Sequence, residues 1–207
     1  MYALVENGSI VKHLKGNKGL TIGEYQYSRD IFTKWTNEER VAIGVYPVRI
    51  DTTNKKDEEY YINTNITYAV SGDEVIGSYG TAFDKQLEDS YWTQQDSDDG
   101  LIPEDKSIGD VKVLGLKNQK IQIIKQQAAG LLAPTDWHVV KASEVADYSV
   151  PANISAYRAD VRAKSNEMEN QINACGTVED LKVLYTYTED QNGVVSRPLV
   201  EWPEEVV

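Results

Sequence analysis

One stretch limits the architecture more than any other. Between Pro151 and Gly176, the residues Ile154, Tyr157, Val161, Ser165, Met168, Ile172 and Cys175 recur at three- and four-residue intervals. That spacing lines one stripe of an amphipathic helix of about six turns. Pro151 suits the first turn, where its missing N–H is no loss, and Gly176 is expected to end the helix as the residue beyond the cap. A second stripe, Leu116, Ile121, Ile124, Ala128 and Leu131, predicts a helix over Leu116–Leu132 that stops before Pro134. Thr177 through Asp180 reads as a capping box opening a short helix with Leu181 and Leu184.

The first hundred residues have a different period. Tyr2–Val5 and Ser9–Leu14 flank Glu6-Asn7-Gly8, and Asn-Gly is a strong hairpin signal because both residues tolerate positive φ. Val41–Ile50 reads as a further strand, with Pro47 placing it at an edge or bend, and Tyr60–Val70 as another. Ser71-Gly72-Asp73 turns the chain, and Lys55–Glu59 is a charged loop. The expected fold class is therefore α+β: a β-rich module over residues 1–83, an acidic linker over 84–110, a helical module over 111–185, and an extended C-terminal tail over 186–207.

The linker reading rests on charge. Asp84 to Asp105 holds eight carboxylates and one lysine, with Gly100 and Pro103 as breakers. Asp96-Ser97-Asp98-Asp99-Gly100 does not fit a calcium loop of the EF-hand type. The sixth and twelfth positions of that loop need Gly and Glu, and the chain has Leu101 and Ser107 there. The tail carries an Asn192-Gly193 turn, then Pro198, Trp202 and Pro203, which favour an extended course.

Composition narrows the chemistry. The chain has 207 residues, 21 basic and 33 acidic, for a net charge of −12. Nucleic acid is not an expected partner, since its binding depends on Lys and Arg neutralising phosphates. Mean hydropathy is −0.49 and no apolar run approaches a spanning length, so no membrane partner is expected either. The opening residues have no basic flank or apolar core of a secretory signal, which implies synthesis for the cytoplasm. One cysteine, Cys175, excludes an internal disulfide, and two histidines, His13 and His138, leave little for a metal centre. No nucleophile elbow, zinc-protease helix or phosphate loop is present, and Gly16-Asn17-Lys18-Gly19 reads as a turn. Cys175 is read as a packed thiol and His138 as a surface or half-buried side chain. Neither an enzyme activity nor a cofactor is expected.

Leu131-Leu132-Ala133-Pro134-Thr135-Asp136-Trp137-His138-Val139-Val140 resembles the L-x-x-T-D-W-x-V-x-R stretch of tailed-bacteriophage tail and tail-fibre assembly proteins. Glu144, Pro151 and Tyr157-Arg158-Ala159-Asp160-Val161-Arg162 follow in the family's order, with Lys141 where an Arg is usual. Ser165-Asn166, Glu169, Ile172, Cys175 and Thr177–Leu181 continue the likeness, which is densest over residues 131–181. The opening Met1–Gly8, and Ile31-Phe32 through Gly44-Val45-Tyr46-Pro47-Val48, are similar to the start of small marine-phage tail proteins. The resemblance implies a structural tail component, either baseplate or tail-fibre adaptor. Its partners would be other tail or fibre proteins, it would be present in several copies, and it would reside in the virion after synthesis in the host cytoplasm. A tail-fibre assembly chaperone is the alternative. An enzyme acting on host surface glycans is a remote one, suggested by 13 Tyr and 4 Trp among scattered carboxylates.

The motif also has a reading of its own. Thr135 or Asp136 is expected to cap a turn, with Trp137 buried between the two long helices and Tyr157 and Val161 facing the same core. Arg158 and Arg162 lie four apart with no acidic residue at i±4. They form either a solvated pair or a contact with a carboxylate on another chain or domain. Trp202 is the candidate aromatic anchor of an interaction arm, the alternative being that it folds back on its own domain.

Overall fold

Asn7 and Gly8, at φ 50 and 73, turn β1 (Tyr2–Glu6) back into β2 (Ser9–Leu14) with Glu6 opposite Ser9. A two-residue loop with both φ positive matches the right-handed twist of the strands it joins. A computed structural model describes residues 1–205, and its contacts divide the chain into Met1–Phe83 and Asp84–Val207. The fold is α+β, with a curled five-stranded sheet in the first unit and helices in the second.

In the first unit, β1 is buried on both faces. Ala3 and Val5 pack with Val75 on one side, and Leu4 packs with Leu14 and Val45 on the other. After β2 comes a small hairpin, β3 (Leu20–Ile22) and β4 (Tyr25–Tyr27), then a 3-10 turn at Arg29–Phe32 that buries Ile31. Thr36 and Glu39 form a reciprocal capping box that starts α1 (Asn37–Ala42). This corrects the expected strand over Val41–Ile50: the cap claims its first residues for a helix, Gly44 turns at φ 82, and β5 begins at Val45 and runs to Asp51. The run Tyr60–Val70 likewise divides into β6 (Tyr61–Ile62) and β7 (Thr67–Ser71). Asn63 lies between them, and its side chain both accepts from the Lys56 N–H and donates to the Lys56 carbonyl. Gly72, at φ 57, joins β7 to β8 (Glu74–Ser78).

The strand order is β2-β1-β5-β8-β7. β5 pairs antiparallel with β1 over Val45–Pro47 and parallel with β8 from Val48 onward. The change of partner falls at Pro47, which has no N–H for a ladder, so Pro47 sits inside a central strand rather than on the edge its type suggested. The two edge strands meet where the His13 ring of β2 lies 4.4 Å from the Tyr68 ring of β7.

After β9 (Phe83–Asp84), the second unit begins with the segment expected to be a linker, and that expectation is corrected. β10 (Ser90–Tyr91) pairs with β11 (Val111–Val113), and α2 (Gln94–Asp98) carries its own capping box from Thr93 and Asp96. Three of the carboxylates find partners beyond the stretch. Asp96 holds Lys112 at 2.5 Å, and Glu88 holds Lys117 at 2.5 Å. Asp89 accepts from the Gly115 N–H and from the Asn118 amide. The carbonyls of Gln86 and Leu87 accept from Leu116 and Lys117. These bonds satisfy the N–H groups at the start of α3 (Leu116–Leu132), whose own cap residue, Gly115, has no side chain to offer. Residues 86–89 thus cap a helix that begins well beyond them in the chain.

α3 lies antiparallel to α5 (Ala152–Ala174), with Lys117 bonded to the Asn173 carbonyl at one end and Arg158 to the Leu132 carbonyl at the other. The expected stripe of α5 is buried throughout, and Val161, Met168 and Ile172 are fully enclosed. The helix ends otherwise than predicted. Cys175 caps it in an extended conformation, and Gly176 is not in the left-handed region. Instead the Gly176 and Thr177 N–H groups donate to Asp180, the acid of the capping box that opens α6 (Val178–Tyr185). The tail is not simply extended: β12 (Thr188–Glu189) and β13 (Val195–Ser196) form a hairpin about Gly193, at φ 78. Leu199 is then buried, its N–H bonded to the Leu184 carbonyl. Of the predicted tail, Val206 and Val207 lie outside the described residues.

Candidate functional site

Pro134 ends α3 in a 3-10 turn, Ala133–Thr135, from which α4 (Asp136–Glu144) starts. Neither Thr135 nor Asp136 makes the expected cap bond. The Thr135 hydroxyl donates back to the Leu132 carbonyl, while Asp136 faces the guanidinium of Arg158. Arg158 is 8% exposed. Its Nη1 donates to the Leu132 carbonyl at 3.0 Å and to Thr135 Oγ1 at 2.6 Å, and Nη2 pairs with Asp136 at 2.8 Å. A cation at the carbonyl end of α3 and an anion in the first turn of α4 both suit the helix dipoles.

Arg158 is therefore neither solvated nor free for another chain. Its acid lies on the preceding element, out of reach of an i±4 search. Arg162 stays exposed, and its Nη1 donates to the Arg158 carbonyl. Tyr157 and Val161 take the core positions expected of them, beside Ala128. Burial raises the Tyr157 phenol above its usual value, with Glu205 adding to the effect.

Trp137 is 54% exposed and does not enter the interhelix core. The early start of α4 after Pro134 carries it off the line of the α3 stripe. Its ring stacks on His138 at 3.7 Å, His138 Nδ1 meets the Tyr148 hydroxyl, and Lys141 sits 4.3 Å over the Tyr148 ring. Lys141 also lies 5.6 Å from the Trp137 ring. No residue of α4 is buried, and Val139, Val140 and the following Val145 are exposed beside Trp137. Sequence reading missed this cluster of Trp137, His138, Lys141 and Tyr148. The i,i+4 spacing of Trp137 and Lys141 was the available signal.

Trp202 folds back on its own unit. Its Nε1 donates to Gln127, and its ring packs by Ala128, Tyr157 and Val161. Gln171 on α5 holds the adjoining backbone, accepting from the Val200 N–H and donating to the Pro198 carbonyl. The interaction-arm reading of Trp202 is thus corrected: α5 offers the tail a hydrogen-bonding partner as well as an apolar seat. Cys175 is buried and its thiol pushed up, first by burial and then by Asp180.

Among the described residues, no three His, Cys, Asp or Glu side chains converge as a metal-ligand set. No helix among them is long and apolar enough to cross a membrane. Comparison with protein-family models, curated proteins and solved structures finds no match.

Proposed function

We propose that the chain is a structural component of a bacteriophage tail, at the baseplate or as a tail-fibre adaptor, and works through protein–protein contacts without catalysis. One observation carries the reading. α4 is a nine-residue helix with no buried residue, yet it presents Trp137, Val139 and Val140. A buried Arg158 holds its first turn in place. Helices owe most of their stability to packing, so a short one with an open apolar face suits a neighbour that covers it. Trp is also the residue type most enriched at interface hot spots. The likeness of residues 131–181 to tail proteins supplies the biological setting, with other tail or fibre chains as partners and the virion as location.

The test is mass spectrometry of purified virions carrying either the unaltered chain or a Trp137→Ala, Val140→Ser variant. The expected result is the chain in wild-type particles and its loss from variant particles, with the isolated variant still folded. Presence during assembly but absence from finished particles would favour the chaperone alternative.

A further inference from the structure

A second site lies in the sheet unit. The chain carries a net charge of −12, yet from Gly8 to Gly23 it has no acidic residue and contains Lys12, Lys15 and Lys18. All three lysines line one concavity of about 350 Å³, with Phe32 in its wall. We propose that this cleft binds a small multivalent oxyanion, a phosphoryl ester or a multiply sulfated one.

The charge is uncommitted. Lysines elsewhere find acids: Lys34 pairs with Asp30, Lys112 with Asp96, Lys117 with Glu88 and Lys164 with Glu167. Among the described residues, Lys12, Lys15 and Lys18 make no ion pair or hydrogen bond through their ammonium groups, and no carboxylate lines the cleft. Three like charges on one wall repel each other, and a multivalent anion removes that repulsion as it binds. A monovalent anion gains little, because one exposed pair is worth only about 0–1 kcal/mol.

The loop that carries them is fixed rather than draped. Gly16, at φ 71, lies so close to the Tyr2 ring that a Cβ there would stand 3.2 Å from it. Tyr2 in turn stacks with Phe32 at 5.0 Å. At Gly19 a Cβ would come within 2.6 Å of the Tyr27 carbonyl. Both glycines thus press the loop backbone onto the body of the unit. Lys12 lies opposite Leu4 in the β1–β2 ladder, on the face of the sheet that meets Phe32. The lysines therefore share a preset anchorage, which lowers the entropy lost on binding. Ammonium groups act on phosphoryl and sulfate oxygens as point charges, and the Phe32 wall accommodates the organic part of an ester.

The experiment is titration of the full chain with inorganic tripolyphosphate and, separately, with a multiply sulfated disaccharide, followed by amide NMR at low salt. The expected result is saturable shifts centred on residues 12–20 with Kd below about 1 mM. Affinity should fall at least about tenfold in a Lys15→Gln, Lys18→Gln variant, a loss of about 1.4 kcal/mol. A Lys55→Gln, Lys56→Gln control, in exposed lysines outside the cleft, should bind as the parent does. Tighter binding of tripolyphosphate assigns the site to phosphoryl groups, and tighter binding of the disaccharide assigns it to sulfate esters. Failure of both to saturate overturns the proposal. So do shifts spread over lysines across the surface, or an equal loss in the control variant.

Discussion

α4 and α5 are neighbours in the chain and both carry large apolar side chains, yet α5 buries seven residues and α4 none. The difference is in spacing, not in content. In α5 the apolar residues return every three or four positions for the whole helix, so one face stays turned to α3. In α4 they cluster at Trp137, Val139 and Val140, and the helix is too short to build a stripe. An apolar residue marks a core position only when its neighbours repeat the choice. Where they do not, exposure is the better reading, as at Trp137.

The comparison breaks most directly at Met168, which is fully buried in the α5 stripe. Met168→Ala should destabilise the helical unit by about 2–5 kcal/mol in a denaturant melt, since it removes contacts and leaves a cavity. Arg158→Leu tests the joint between the two helices. Losing three bonds to a charged group should cost about 2 kcal/mol, and hydrogen exchange should quicken across residues 133–144 before it does in α5.

Acid probes the polar support of the same unit. The Lys112 ammonium, helped by the Thr93 hydroxyl and N–H, holds the Asp96 carboxyl down at about 2. An unfolded Asp titrates near about 3.9, so the contribution is fully present above about pH 4 and fades as pH falls through about 2. Asp96→Asn should therefore lower stability at neutral pH and make no difference at about pH 1, as read by paired thermal melts. The smallest expected effect is the most telling one. Trp137→Ala should change stability by no more than about 1 kcal/mol, because the residue is 54% exposed and its ring lies against His138 and Lys141 of its own short helix. A loss of several kcal/mol would restore the buried placement and remove the basis for an interface on α4.

How much was legible in the chain follows the same line. The Leu116–Leu132 helix, the Asn7-Gly8 hairpin and the Thr177–Asp180 capping box are local signals, each complete within a few turns, and the fold contains all three. The partners of Asp89 and Arg158 were not legible. Each joins residues too far apart in the chain for a local pattern to show, and a carboxylate held by a remote partner looks, residue by residue, like one that merely faces water. The charged stretch at 84–105 was misread for that reason. In the candidate site, Tyr157 and Val161 were found by periodicity. Trp137 was expected inside and lies outside, and of the two courses open to Trp202 the fold takes the inward one, because residue type alone does not decide burial.

The change of partner within β5 sets an order of events during synthesis. The first hairpin and the first half of β5 can pair once residue 47 has emerged, but the parallel ladder to β8 needs residues 74–78. Until then the second half of β5, Val48–Asp51, is an open strand edge in a nascent chain, the kind of edge on which chains aggregate. Pro47 stands at its start and Arg49 within it, and each discourages a stray strand from adding there. Once β8 arrives, Arg49 gains Glu74 across the new ladder at 3.0 Å. The residue that guards the edge while it is open becomes part of the bond that closes it.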